Sequence, residues 1–336
     1  MLLFLILSVM ILSIFYISEK SKINAITTFI ITILITYLII FPKSSIDSII
    51  NGTDLFMKSV FPTLFPFLIL TNILINYGGI DIFGKLLGPI ISKPLRISKN
   101  SIFPLLISFI CGYPLGIKYL NDMYNQQMIK KNEFIRMTNI ASNASPLFII
   151  GTVGVSILEN KFLGYILLFS NYISCLLMSF ILYPKNETLV TSIPIKKNNP
   201  KNNFGNILKS SLENSLKTCA MVGGFIILFS LLKEIILNNF YTQILIKDLP
   251  ILKSIIIGIL EITNGIKLLS DTNISIQLKL SLISFFCSFS GLCIILQCYS
   301  FVYKNTVFKI NRYIFLKFVQ AVIAFILTFL ICTFTI

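Results

Sequence analysis

The sequence predicts an all-α polytopic membrane protein with about eight to ten transmembrane segments, built as two repeated halves that contain broken helices or re-entrant hairpins. Three observations carry that prediction. The 336 residues are 55 % hydrophobic and 12 % charged, with 30 phenylalanines, and their mean hydropathy is +0.87. A soluble domain of this size could not bury so much apolar surface. Glycine and proline also interrupt apolar runs where a simple span would want neither. Finally, two short motifs recur in the same order at nearly the same offset.

The first element is MLLFLILSVM and its continuation. It has no basic start and no A-x-A-like site after it, so residues 1–17 read as a retained span, not a cleaved leader. Further apolar runs cover 23–41, 59–80, 102–117, 139–158, 162–183, 213–237, 251–270, 280–303 and 313–335. Pro62 and Pro66 kink or break the third segment. Residues 81–101, with Lys85, Lys93, Arg96 and Lys99, read as a basic loop, and 118–136, with Lys118, Lys130, Lys131 and Arg136, is a second basic stretch. These stretches do not fall on alternate loops, so the positive-inside count sets no orientation. Residues 184–209 are polar, basic and proline-containing and form the longest connection. The chain thus divides into N-terminal spans (1–50), a first repeat (51–183), this linker, and a second repeat (210–336).

The repeat is visible in GYPLGIKYLND at 112–122 and EITNGIKLLSD at 261–271. Gly116, Ile117 and Lys118 match Gly265, Ile266 and Lys267, an offset of 149 positions; Leu120 and Asp122 match Leu269 and Asp271. A second echo sets SPLFIIG at 145–151 against SGLCIIL at 290–296, an offset of 145. Whether the halves are inverted or parallel depends on how many segments cross fully.

Breaks inside a bilayer expose backbone N–H groups at one half-helix end and carbonyls at the other, and half-helix N-termini suit anions. Four such breaks are predicted. Gly112, Tyr113, Pro114 and Gly116 form the first, flanked by Lys118. Ser142, Asn143, Ser145 and Pro146 form the second, with a cap and a first-turn proline. Thr263, Asn264 and Gly265 form the third, beside Glu261 and Lys267, and Ser290 and Gly291 form the fourth. If they converge near the midplane, they line a polar substrate site together with Gln297. Lys118 and Lys267 either bind an anion there or snorkel to the interface. Glu261 follows ten residues whose only charge is Lys253; at membrane depth it serves either coupling or local pairing. Asn143, Ser145 and Asn264 serve substrate or helix packing, and Tyr113 packs a ring-shaped ligand or anchors at the interface.

Other chemistries fit poorly. There is no histidine, so no Ser–His or Cys–His dyad can form, and neither a zinc nor a haem site is expected. The seven cysteines sit in or beside apolar runs with no C-x-x-C pair; they read as small buried hydrophobes. The acidic pairs Glu133/Glu159 and Glu187/Glu213 show no spacing for acid–base work. We expect no enzyme, no cofactor and no metal. The net charge of +15, from 28 Lys and Arg against 13 Asp and Glu, fits loops beside anionic lipid; no clustered basic face calls for nucleic acid. The expected partners are the bilayer, a small anionic solute and, as an open possibility, further copies of the chain.

The motifs VFPTLFPF (60–67), GYPLGIK (112–118), SNASPLFIIG (142–151), LEITNG (260–265) and FSGLCIILQ (289–297), in this order, resemble the sporulation integral membrane protein family YlbJ, also called SpoVV. The resemblance spans about 55 to 300. It implies a nucleoside-recognition or gate-domain membrane protein, related to concentrative nucleoside transporters, with both repeats gate-like. It also implies a place in the outer forespore membrane on the mother-cell side and movement of dipicolinic acid toward the forespore. The family's motifs fall on Gly112, Pro114, Gly116 and Lys118, on Ser142, Asn143, Ser145 and Pro146, and on Glu261, Ile262, Thr263 and Gly265. The chain departs from it at Ile117, where a small residue is usual, and at Phe289-Ser290-Gly291, where two glycines are usual. Besides an anion carrier, a nucleoside or nucleobase carrier and a non-transporting envelope protein remain open.

Overall fold

A computed structural model of the chain describes residues 25–183, 203–238 and 249–335. The span expected at 1–17 and most of the linker at 184–209 lie outside the described residues. Within them the chain is helical, with no strand.

Helix α1 (Ala25–Ile40) turns sharply into α2 (Pro42–Leu55), whose first turn carries a proline; the two axes meet at 111°. A π-helical turn, Phe56–Val60, joins α2 to α3 (Phe61–Asn76). Pro62 lies in the first turn of α3 and Pro66 inside it, yet the helix continues. Gly78, at φ +79°, then ends the run, and α4 (Gly79–Leu95) leaves at 88°. Here the structure corrects the sequence reading. Residues 81–101 are mostly helix and not a loop. Lys85 and Lys93 ride on α4, and Pro89 and Pro94 are accommodated within the helix.

The remainder follows one pattern twice. In the first half α5 (Ile102–Cys111) breaks at 112–114 and resumes as α6 (Leu115–Asn125). Helix α7 (Lys131–Ile140) breaks at 141–146 and resumes as a π-helix, Leu147–Ile157, before the long α8 (Lys161–Ile181). Asn160 caps α8 by accepting from the Phe162 and Leu163 amides. After α9 (Phe204–Asn238), α10 (Pro250–Leu260) breaks at Glu261 and resumes as α11 (Ile262–Ser270). Then α12 (Ile276–Phe289) breaks at Ser290, α13 (Gly291–Val302) resumes, and the long α14 (Ile310–Thr335) follows. Each half is therefore two broken helices and one long one.

The two breaks in each half differ. Helices α5 and α6 pack against each other, as do α10 and α11, so the first break of each half is a hairpin. The matched glycines explain how the arms close. A Cβ on Gly116 would sit 2.2 Å from the Ala141 oxygen and 2.6 Å from Ser108 Cβ; one on Gly265 would sit 2.1 Å from Gly258 Cα. The echo in the sequence is thus a packing requirement met twice. The second break in the second half is an interruption within one apolar stretch, Ile276–Val302.

Four described helices are long and apolar enough to cross a membrane, and up to six if each bent pair is one span. That count covers the described residues, so the span expected at 1–17 is not in it, and 102–117 and 251–270 turn back as hairpins of the re-entrant kind expected. Lipid-facing surface is plain from exposure. Phe169 is 62 % exposed, Phe180 54 % and Phe315 64 %, a load of exposed aromatic surface that water would not tolerate.

Candidate functional site

The breaks bring the predicted residues together in pairs. In the first half, the Tyr113 amide donates to the Asn143 carbonyl at 2.8 Å. Gly112, at φ +82°, would place a Cβ 2.8 Å from the Ser145 nitrogen, so only glycine allows the two breaks to touch. The Tyr113–Pro114 bond is cis. Asn143 is buried and fully engaged: its amide nitrogen donates to Ser108 Oγ at 3.1 Å and to the Ile140 carbonyl at 2.7 Å, and its Oδ1 accepts from Gln320 at 3.2 Å. Ser145 Oγ accepts from the Phe148 amide at 3.2 Å and so caps the π-helix that Pro146 opens. That is the capping role the sequence predicted for this pair.

In the second half, buried Glu261 caps α11. Its carboxylate accepts from the Thr263 amide at 3.0 Å, the Asn264 amide at 2.8 Å and Asn264 Nδ2 at 2.6 Å. The negative group is thereby stabilised at a helix N-terminus. Asn264 also accepts from Lys233 Nζ at 3.1 Å, so Glu261 is linked through Asn264 to a lysine of α9. Ser290 and Gly291 have φ of +78° and +67°. The departure from two glycines therefore places a serine in a left-handed conformation that side chains rarely adopt. A Cβ on Gly291 would lie 3.1 Å from the Ile262 side chain and 3.3 Å from the Leu260 carbonyl, which puts the third and fourth breaks in contact.

Tyr113 stands between the halves. Its ring packs against the apolar cluster around Phe103, Leu120 and Phe289, and also against the one around Ile149, Ile266 and Phe286. It is within electrostatic reach of Glu261, Cys287 and Cys298. Its buried hydroxyl has no hydrogen-bond partner among the described residues, and neither does the buried Ser290 Oγ. Buried polar atoms are rarely left so. The two lie at breaks of opposite halves.

The lysines divide differently from the prediction. Lys118 Nζ lies 3.3 Å from Asp122 and 4.4 Å from the Tyr119 ring centroid, an i,i+4 pair on its own helix. Lys267 is exposed near the end of α11. The two echo each other in sequence and not in surroundings. Gln297, also buried, donates to Cys293 Sγ at 3.3 Å. The cation that reaches the breaks is one the sequence reading passed over. Lys317 of α14 is wholly buried; its Nζ donates to the Ser142 carbonyl at 2.6 Å and to Gln320 Oε1 at 3.0 Å. Four residues earlier Tyr313 shares a 2.7 Å hydrogen bond with Ser142 Oγ. The signal was available: an ionisable residue in an apolar run, the rule that singled out Glu261, applies equally to Lys317. Asn139, wholly buried one turn before Asn143, is a second omission; neither of its side-chain polar atoms has a partner among the described residues.

All seven cysteines are free, and six are buried. Among the described residues no group of three His, Cys, Asp or Glu side chains could hold a metal.

Long apolar helices, hairpins that turn back and two buried ionisable residues at separate breaks define an integral membrane protein with a doubled arrangement of broken segments. Residues 57–143 match the family model described as Gate, nucleoside recognition. Along 93 % of its length the chain is similar to the sporulation integral membrane protein YlbJ of Bacillus subtilis strain 168, at 26 % identity over 345 positions covering 83 % of that protein. Both agree with the resemblance carried by the motifs. No solved structure matches the chain.

Proposed function

We propose that the protein is a carrier that passes a small anionic solute across its membrane by way of the paired breaks, and that in a sporulating cell this solute is dipicolinic acid, moved toward the forespore across the outer forespore membrane. It is not an enzyme on this reading. One observation carries the anion: Lys317 is wholly buried, and its bonded partners are a carbonyl and an amide oxygen with no carboxylate among them. A buried cation without a counter-ion is costly. A carboxylate solute arriving at Ser142 would supply the missing charge, while Tyr113 and Ser290 offer hydroxyls without protein partners. The similarity to a sporulation protein supports dipicolinate, a planar aromatic dianion, as the solute.

The nucleoside-recognition description of the family matched at 57–143 favours a second reading, a nucleoside or nucleobase carrier. The decisive measurement is uptake of labelled dipicolinate into vesicles holding the purified protein. Uptake that excess unlabelled dipicolinate suppresses and nucleosides do not is the expected result. Suppression by nucleosides moves the assignment to the second reading, and no flux of either solute leaves a non-transporting membrane protein. The same assay on the Lys118→Ala, Lys267→Ala double variant tests the two lysines singled out by sequence. From their surroundings, uptake within about twofold of the parent is expected, as for surface charges of modest effect.

A further inference from the structure

A cavity of about 410 Å³ opens between the start of α7 and the 306–316 stretch that leads into α14. Its lining holds three cations, Lys131, Lys309 and Arg312, and no carboxylate. All three are exposed. Lys131 is the first residue of α7 and Lys309 immediately precedes α14, so two helix N-termini add their unpaired amides to the same space. Tyr313 forms part of the wall, and its hydroxyl is bonded to Ser142 Oγ on the far side. Lys309, Tyr313, Lys317 and Gln320 follow at helical spacings of four, four and three, which sets them on one face. That face runs from the exposed rim of the cavity to the buried Lys317–Ser142 contact, with charge at both ends and one tyrosine between.

We propose that this cavity is a capture vestibule for a small dicarboxylate, which Lys131, Lys309 and Arg312 hold by charge before it passes Tyr313 to reach the breaks. The proposal deepens the anion-carrier reading and rests on it for the direction of travel, but binding at the cavity can be measured without flux. The probe is pyridine-2,6-dicarboxylate, titrated by calorimetry into the purified full-length protein in phosphatidylcholine nanodiscs, where no anionic headgroup competes. The wild type is expected to bind with an affinity that falls as salt is raised. The Lys131→Gln, Lys309→Gln, Arg312→Gln variant is expected to bind about tenfold more weakly, the sum of three modest exposed pairs, with a flatter salt dependence. The Lys131→Arg, Lys309→Arg variant should bind like the wild type, which separates charge from damage to the fold. In vesicles the triple-Gln variant should raise the KM for uptake and leave the maximal rate in place. Binding that the triple-Gln variant leaves unmoved overturns the vestibule even if uptake is normal. Binding that is lost in the variant, in a protein that shows no flux, keeps the vestibule and overturns the carrier. Should phosphatidylglycerol in the disc, and not the dicarboxylate, respond to the three substitutions, the cavity is a lipid headgroup site and the proposal fails.

Discussion

On the anion-carrier proposal, Lys317 is the residue on which the chemistry of the breaks turns. A lysine held among α14, Ser142 and Gln320 with no counter-ion among the described residues contributes little to stability, because its desolvation offsets what two hydrogen bonds return. Lys317→Met keeps the length and volume of the side chain and removes the charge. The expected outcome is therefore a separation of two properties. Thermal stability in detergent should change little, because the relieved desolvation of the ammonium offsets the loss of a donor to the Ser142 carbonyl and Gln320 Oε1. Dipicolinate uptake should fall by roughly tenfold or more, the loss of one charge-assisted hydrogen bond to the solute. A variant that unfolds readily and transports normally when folded would show that Lys317 is a structural tie between α14 and the second break. The neighbouring hydroxyls follow the same logic. Tyr113 and Ser290 carry buried oxygens with no protein partner, so their removal loses no protein hydrogen bond.

At the level of elements, the hairpins depend on glycine. Gly265 meets Gly258 so closely that an added Cβ would lie 2.1 Å from the opposite Cα and 2.4 Å from its nitrogen. These are backbone atoms and cannot swing aside. Gly265→Ala should cost at least the ~1–3 kcal/mol typical of overpacking, read as a lowered unfolding midpoint. Gly224→Ala is the control, since nothing lies within 4 Å of its Cβ position; it should hold or gain slightly, because alanine favours the interior of α9. Equal effects at the two positions would mean that the arms of α10 and α11 do not close as described. This contact was legible in the sequence as an echo, Gly116-Ile117-Lys118 against Gly265-Ile266-Lys267, because close backbone approach admits one residue type. The lysines of the same echo do not share surroundings, since an ammonium on a flexible stem answers to what lies beside it: Lys118 pairs with Asp122, and Lys267 is exposed. Glu261 stood out because a carboxylate follows ten nearly uncharged residues. Lys317 did not, because the run around it was counted as a single span by average hydropathy. Helix α4 was missed for another reason. Its lysines and prolines are loop signals taken singly, and only packing against α3 and α5 holds them in a helix.

For the whole molecule, the question is which surface meets lipid. The inside is polar where the halves join: Asn171 of α8 donates to Ser284 Oγ at 3.1 Å and accepts from Ser288 Oγ at 2.5 Å on α12. The outside is apolar where it is exposed. Phe169 lies near the middle of α8, two residues before Asn171, and turns outward with 62 % of its surface exposed while Asn171 is 4 % exposed. One helix thus shows both solvents of the molecule, protein on one face and hydrocarbon on the other. A lysine at an exposed position of a water-soluble helix would be harmless, whereas in the middle of a span it costs about 2.5–3.5 kcal/mol of insertion. Phe169→Lys should therefore reduce the fraction of chains inserted in a translocation assay, while Phe162→Lys should not. Phe162 is also exposed, at 55 %, but lies in the first turn of α8, where a long side chain can snorkel to the interface. Equal and full insertion of both variants would remove α8 from the bilayer and, with it, the enclosure on which a buried lysine at the breaks depends.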